Sequence, residues 1–134
     1  MVAEKKLIFK VIAWSIAIHI VLIVLTILEV FVYSHLINPG KELTEYEAHA
    51  QASGPYISLI FGFILIFVIA KHLLGKYPDN RAFIGYGLPI TYILVDVILL
   101  ILAGTDFISN YEVFTISYLT KLGAGQAALW RTKH

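Results

Sequence analysis

The chain of 134 residues contains no cysteine and little charge. Without thiols it forms no disulfides, thiolate metal sites or iron–sulfur clusters, and it has no cysteine nucleophile. Asp, Glu, Lys and Arg make up 14% of the residues, against about 25% in a typical soluble domain. Hydrophobic residues make up 59%, and the mean hydropathy is +0.81. This composition argues against an ordinary soluble domain and predicts an integral membrane protein.

The sequence also lacks the short motifs that identify common reactions. It has no nucleophile elbow, phosphate-binding glycine loop, metalloprotease helix or nucleic-acid-binding signature. We therefore expect no nucleic-acid partner. The sequence leaves open whether the protein is an enzyme, and it identifies no cofactor.

Four apolar runs approach the roughly 20 residues that cross a bilayer as a helix. The first follows a basic start, as in a signal peptide, but it is too long for one and no small-residue cleavage site follows it, so we expect it to be retained. We predict a single four-helix domain over 1–134, with a short outer helix at about 45–52 and membrane spans at about 7–37, 55–74, 83–104 and 107–130.

The basic residues predict the orientation of these spans. With four spans, Lys41 is the only lysine or arginine on the side of the outer helix, where most of the acidic residues lie. Short loops rich in Lys and Arg stay in the cytoplasm. We predict an all-α, antiparallel four-helix transmembrane bundle in the cytoplasmic (inner) membrane, with both termini in the cytoplasm. The residues assigned to the cytoplasmic side are Lys5, Lys6, Lys10, Lys71, Lys76, Arg81, Lys121, Arg131 and Lys133.

One carboxylate interrupts the third span. Asp96 lies in an otherwise apolar stretch, and a carboxylate in hydrocarbon costs several kcal/mol unless it is neutral or paired. At about 1.5 Å of rise per residue, His19 and Tyr118 lie at the same depth, and Tyr92 lies one turn before Asp96. We predict that these four side chains form a polar cluster in the middle of the membrane.

Helical periodicity predicts which faces turn inward. In the first helix the spacing of three and four residues aligns Ser15, His19, Thr26 and Glu29. Lipid offers no hydrogen bonds, so such stripes should face the bundle or another subunit. In the fourth helix the predicted inward face consists of Phe107, Tyr111, Phe114, Tyr118, Lys121 and Gly125.

Two further charged residues are candidate ligand-binding residues. Lys121 is interpreted either as an interfacial residue whose amine reaches water, which we favour, or as a buried partner of Asp96. If the fourth helix continues through 123–125, Lys121 lies inside the membrane. Glu29 is interpreted either as an interfacial carboxylate or as the outer mouth of a polar path through Thr26 to His19.

A metal site is a lesser alternative. Glu45 and His49 are four residues apart on the predicted outer helix, and that spacing can hold a divalent ion. Side chains on such a loop are more often simply solvated, so we predict no metal site and name these two residues only as weak candidates.

Three functional hypotheses follow from the cluster. In the first, a pocket in the membrane binds or transports a small molecule or ion with proton linkage, because acid, imidazole and phenol share one depth. In the second, the protein is a small membrane enzyme, or an accessory subunit of an oxidoreductase, that binds quinone, haem or lipid. In the third, it is a structural or assembly subunit. Four short helices enclose little volume, so we also expect a homo-oligomer or a partner membrane subunit.

Overall fold

The computed structural model describes residues 2–132, with side chains from Lys5 onward. In this range the chain is helical and contains no strand, which confirms the predicted helical class. Three helices, α1 to α3, are long and apolar enough to cross a membrane. The fourth helix, α4, does not combine the required length and hydropathy. The four α-helices are α1 (Val2–Val32), α2 (Leu43–Lys76), α3 (Arg81–Leu102) and α4 (Tyr111–Arg131).

The first helix ends in a widened turn. A π-helical turn, Tyr33–Ile37, continues α1, and the N–H of Asn38 donates to the carbonyl oxygen of Tyr33 at 2.8 Å. Gly40 then adopts a φ of +80°, a conformation that glycine takes without the steric cost of a Cβ atom. The helical part of the first span thus ends at Ile37, at the predicted bound of about 37.

The predicted outer helix (about 45–52) and second span (about 55–74) are not separate helices. A single helix, α2, runs from Leu43 to Lys76 with Pro55 inside it, so the outer helix and the second span are continuous. Proline removes one backbone hydrogen bond, but Glu29 of α1 binds the preceding turn by accepting from Ser53 Oγ at 2.9 Å. This contact stabilises the helical turn just before the proline.

Contacts between helix ends show that sequence neighbours run antiparallel. Lys10, near the start of α1, donates to Tyr77 Oη, just after α2, at 2.5 Å. Arg81 at the start of α3 donates to the carbonyl oxygens of Leu129 and Thr132 at the end of α4, at 2.8 and 3.0 Å. A guanidinium at this position satisfies carbonyl groups that have no partner within the helix. We call this the basic end, and the end with the loops 38–42 and 103–110 the acidic end.

The fourth helix begins later than predicted, at Tyr111 rather than at 107. A turn precedes it, in which Asp106 accepts hydrogen bonds from Ser109 Oγ at 2.6 Å and from the N–H groups of Ser109 and Ile108. These bonds, that from the Ser109 hydroxyl above all, hold the pKa of Asp106 below its ordinary value. The carboxylate therefore stays ionised, and keeps the turn together, to a lower pH than an ordinary aspartate would.

Small residues bring α4 close to α2 and α3. Of the predicted inward face of α4, Tyr111 does not face the bundle, because it is 63% exposed. A Cβ atom at Gly125 would collide with the carbonyl oxygen of Gly85 and lie 2.6 Å from Pro89 Cγ. Pro89 therefore packs at a tight crossing of α3 and α4. The residues of α4 that are buried are Ser117, Lys121, Ala124, Gly125 and Ala128.

The crossing predicts opposite effects for two neighbouring glycines. Gly125→Ala should lower the free energy of unfolding by about 1–3 kcal/mol, as expected for an overpacked contact. Gly123→Ala is the matched control, because a Cβ atom there meets nothing within 4 Å and alanine favours the helix by up to about 1 kcal/mol. Thermal or denaturant unfolding in detergent compares the two, and equal effects would contradict the tight crossing.

Candidate functional site

The two carboxylate oxygens of Asp96 face different helices. Tyr118 Oη of α4 donates a hydrogen bond to Oδ2 at 2.8 Å. Nε2 of His19, on α1, lies 3.3 Å from Oδ1. The structure thus brings together the residues that the depth comparison predicted, while their role in ligand binding stays a prediction.

The ring of His19 is held on two sides. Its Nδ1 lies 2.7 Å from the carbonyl oxygen of Ser15, and a carbonyl oxygen only accepts, so Nδ1 carries a hydrogen. Its face stacks on Tyr92, with ring centroids 4.1 Å apart and planes 15° apart. His19 is 6% exposed. Its Nε2 is within ion-pair distance of Asp96 but not in hydrogen-bond geometry, and it has no hydrogen-bond partner in the described part of the chain.

Lys121 is buried inside the bundle. It is 0% exposed, and Nζ donates to Ser58 Oγ at 3.0 Å and to Ser117 Oγ. Helix α4 continues through 123–125 to Arg131. The interpretation that we favoured, an amine that reaches water at the interface, is therefore wrong, because the side chain crosses the bundle towards α2 instead.

The amine of Lys121 connects to the cluster through aromatic and hydroxyl groups. Nζ lies 5.2 Å from the ring centroid of Tyr92, within the range of a cation–π contact. Ser58 Oγ, which accepts from Lys121, lies 3.4 Å from Tyr92 Oη. Gly62 makes room for the lysine, since a Cβ atom there would lie 2.8 Å from Lys121 Cε. Lys121 and Asp96 therefore belong to one polar network.

Ser58 is the member of this network that sequence reasoning missed. It is an isolated hydroxyl residue in an apolar span, and nothing at its own position marks it. The signal that could have identified Ser58 is its spacing along the helix. Ser58 lies four residues before Gly62, and the buried residues Ile66 and Ala70 follow at the same interval. That stripe identifies the face of α2 that packs against α4.

Asp96 lies between two cavities. The end cavity, of about 620 Å³, opens between α2, α3 and α4 towards the acidic end, and its lining includes two carboxylates, Asp96 and Asp106, but no lysine or arginine. The side cavity, of about 240 Å³, lies beside α1 and is lined by His19, Tyr92 and apolar residues. Asp96 and Ser58 line both. One carboxylate therefore contributes to two separate spaces.

Glu29 lies outside this cluster. Its Oε1 is 2.6 Å from His49 Nε2, and the ring of His49 stacks on Tyr33 with centroids 3.6 Å apart. It lines neither cavity, whereas Thr26 lines the side cavity. The structure therefore places Glu29 in a contact between α1 and α2, and the alternative interpretation of Glu29 as the outer mouth of a polar path stays a prediction.

The metal candidates gain no support from the structure. His49 contacts Glu29 and Tyr33, and Glu45 is exposed. Among residues 2–132, no group of three or more histidines and carboxylates is placed to hold a metal ion.

Burial of Lys121 predicts protection from amine-modifying reagents. During reductive methylation of the folded protein in detergent, Lys121 should stay unmodified while the exposed Lys41 and Lys71 react, since its amine has no contact with solvent. Peptide mass spectrometry measures each site. Unfolding before the reaction is the control and should make all three equal. Modification of Lys121 in the folded protein at the rate of Lys71 would contradict a buried amine.

Comparison of the chain with models of known protein families, with curated proteins and with solved structures finds no match.

Proposed function

We propose that this is an integral membrane protein whose end cavity binds a small cation, such as an organic ammonium ion, at Asp96 in exchange for a proton. The observation that carries the proposal is the position of Asp96, which pairs with His19 on one side and lines a cavity with a second carboxylate on the other.

The outer surface supports a location in the membrane. Three helices have the required length and hydropathy, and they expose rows of large apolar side chains. α4 lies against α2 and α3, and its end meets the start of α3 through Arg81, so we infer that it crosses with them. Large apolar residues exposed on α1 include Phe9, Ile16, Ile20, Ile23, Ile27 and Phe31.

The charge distribution supports cytoplasmic termini. With Lys121 buried at the centre, the basic side chains of Lys10, Lys76 and Arg81 still lie towards one end of the bundle. Short basic segments stay in the cytoplasm, so we place the basic end there. The acidic end, with the opening of the end cavity, then faces the outside.

The His19–Asp96 pair supports proton linkage. Nδ1 of His19 already carries a hydrogen, so a neutral ring presents the lone pair of Nε2 at 3.3 Å from Asp96 Oδ1. Two lone pairs at that distance repel, and a proton on either atom removes the repulsion. The geometry of the empty cavity therefore favours a proton on one of the two atoms.

The remaining groups around Asp96 favour exchange of that proton for a cation. Tyr92, Tyr118 and Ser58 are uncharged donors or acceptors. The one other charged group is Lys121, whose amine donates to Ser58 and Ser117 and does not bond to Asp96 in the described chain. A bound cation supplies the positive charge that the proton supplied, so the proton can leave. Binding should therefore become tighter as the pH rises and protons compete less for Asp96.

Introduced cysteines test the arrangement in the membrane. The chain has no cysteine, so each introduced one gives the only thiol signal. We expect Glu42→Cys and Ile108→Cys to react with an impermeant maleimide on intact cells. Asp79→Cys and Arg131→Cys should react only after permeabilisation. All four positions are exposed in the structure. If Ile108→Cys and Arg131→Cys react from the same side, α4 does not cross the membrane.

Replacement of Asp96 tests the binding chemistry. In lipid nanodiscs with weak buffer, ethylammonium should bind to the unmodified protein and release up to one proton per molecule bound. Asp96→Asn should abolish the proton release and weaken binding by at least about tenfold, the loss expected for a hydrogen bond to a charged group. Calorimetry and a pH indicator measure the two quantities.

Asp79→Asn is the matched control, because it makes the same chemical change at an exposed aspartate at the opposite end. It should leave both quantities unchanged. Ethylammonium binding with undiminished proton release in Asp96→Asn would overturn the proposal, as would a lack of binding by the unmodified protein across the pH range.

A further inference from the structure

The buried ammonium of Lys121 has hydrogen-bond partners but no counter-ion. Its Nζ donates to the hydroxyls of Ser58 and Ser117 and lies over the ring of Tyr92, and all three groups are neutral. Neither of the two ion pairs in the described part of the chain includes Lys121. Buried charges in proteins are ordinarily paired with an opposite charge, so this ammonium favours an anion that comes from outside the chain.

The two serines that bind this ammonium keep hydroxyl hydrogens to donate. Three other hydroxyl side chains donate to the carbonyl oxygen four residues earlier in their own helix, namely those of Ser15, Thr26 and Thr120. Ser117 does not, and its one hydrogen bond in the described chain is the one that it accepts from Lys121. Ser58 also accepts from Lys121, and its other contact is the Tyr92 phenol, which can itself donate. An ammonium has no lone pair, so neither serine can place its hydrogen on Lys121.

Both serines line the end cavity together with Asp96. Ser117 is 5% exposed, and it directly precedes Tyr118, whose phenol binds Asp96. No lysine or arginine lines this cavity, so the charge of Lys121 acts on it through the two hydroxyls. A hydroxyl that accepts from a charged donor is polarised and becomes a stronger donor itself. The cavity wall therefore presents a carboxylate and, near it, two donors with a positive charge behind them.

We propose that the ligand of the end cavity is a small zwitterion, such as an amino acid, whose ammonium binds Asp96 and whose carboxylate accepts from Ser58 and Ser117. Lys121 supplies the opposite charge to that carboxylate from behind the two serines. A ligand with only a positive charge would add to the charge of Lys121, whereas a zwitterion brings each charge to a group of opposite sign. The assignment rests on the proposed cation site and adds an anion subsite to it.

Glycine and glycinamide test the anion subsite. Both carry the ammonium, but glycinamide has an uncharged amide in place of the carboxylate, and neither has a side chain that needs its own space. In lipid nanodiscs at neutral pH, glycine should bind at least about tenfold more tightly than glycinamide, the gain expected for one hydrogen bond to a charged group. Isothermal titration calorimetry measures both affinities. Equal affinities, or tighter binding of glycinamide, would overturn the proposal.

Two variants show whether the preference for glycine depends on the serines and the buried charge. Ser117→Ala removes one donor and should weaken the preference, and Lys121→Met removes the charge and should abolish it. Thr120→Val is the matched control for loss of a hydroxyl, because Thr120 donates to its own helix and does not line the cavity. It should keep the full preference. An undiminished preference in either Ser117→Ala or Lys121→Met would overturn the anion subsite, and Ser117→Ala decides alone if Lys121→Met does not fold.

The same ligands separate this proposal from the proposed cation site. If ethylammonium and glycinamide bind with proton release but glycine binds no more tightly, the anion subsite fails and the cation site stands. If Lys121→Met abolishes the preference for glycine but Asp96→Asn leaves glycine binding and proton release unchanged, the anion subsite stands and the cation site fails. If none of the three ligands binds, both proposals fail.

Discussion

The burial of one carboxylate is the constraint on which the centre of this bundle depends. Asp96 lies in the middle of an apolar helix, where an isolated charge would cost several kcal/mol. Its partners come from two other helices, His19 from α1 and Tyr118 from α4. Removing either helix would leave a polar atom of the carboxylate without a partner. The cluster is therefore both a functional candidate and a reason why α1, α3 and α4 lie together.

The fourth helix shows how the same constraint shapes the rest of the chain. It is not apolar enough to be recognised as a span, yet it supplies Tyr118 and Lys121 to the centre. Its remaining buried residues are small, and Gly125 allows contact with the backbone of α3. The ammonium of Lys121 is satisfied by two serines and the face of Tyr92. Polar groups and close packing thus hold this helix in place where hydropathy alone would not.

The sequence predicted the helical class and the centre of the site, because periodicity and residue counts along apolar helices fix depth. Counting residues was enough to match His19, Asp96 and Tyr118. It could not fix the rotation of α4, so Tyr111, which is exposed, was grouped with residues that face the bundle, and Lys121, which is buried, was assigned to the interface. Nor could it show that α2 continues through Pro55, because the stabilising contact with Glu29 joins residues more than twenty positions apart in the chain. Contacts between different helices determine both the rotation of α4 and the continuity of α2.

The proposed function requires His19 and Asp96 to share a proton, and nitrogen NMR of the His19 ring in lipid bilayers tests this most directly. We predict that Nδ1 carries a hydrogen at neutral pH, and that the Nε2 signal shows a hydrogen shared with the Asp96 carboxylate 3.3 Å away. Asp96→Asn should remove that shared hydrogen from the nitrogen signal. A ring with its hydrogen on Nε2 and none on Nδ1, or an Nε2 signal that Asp96→Asn leaves unchanged, would contradict the proposed exchange.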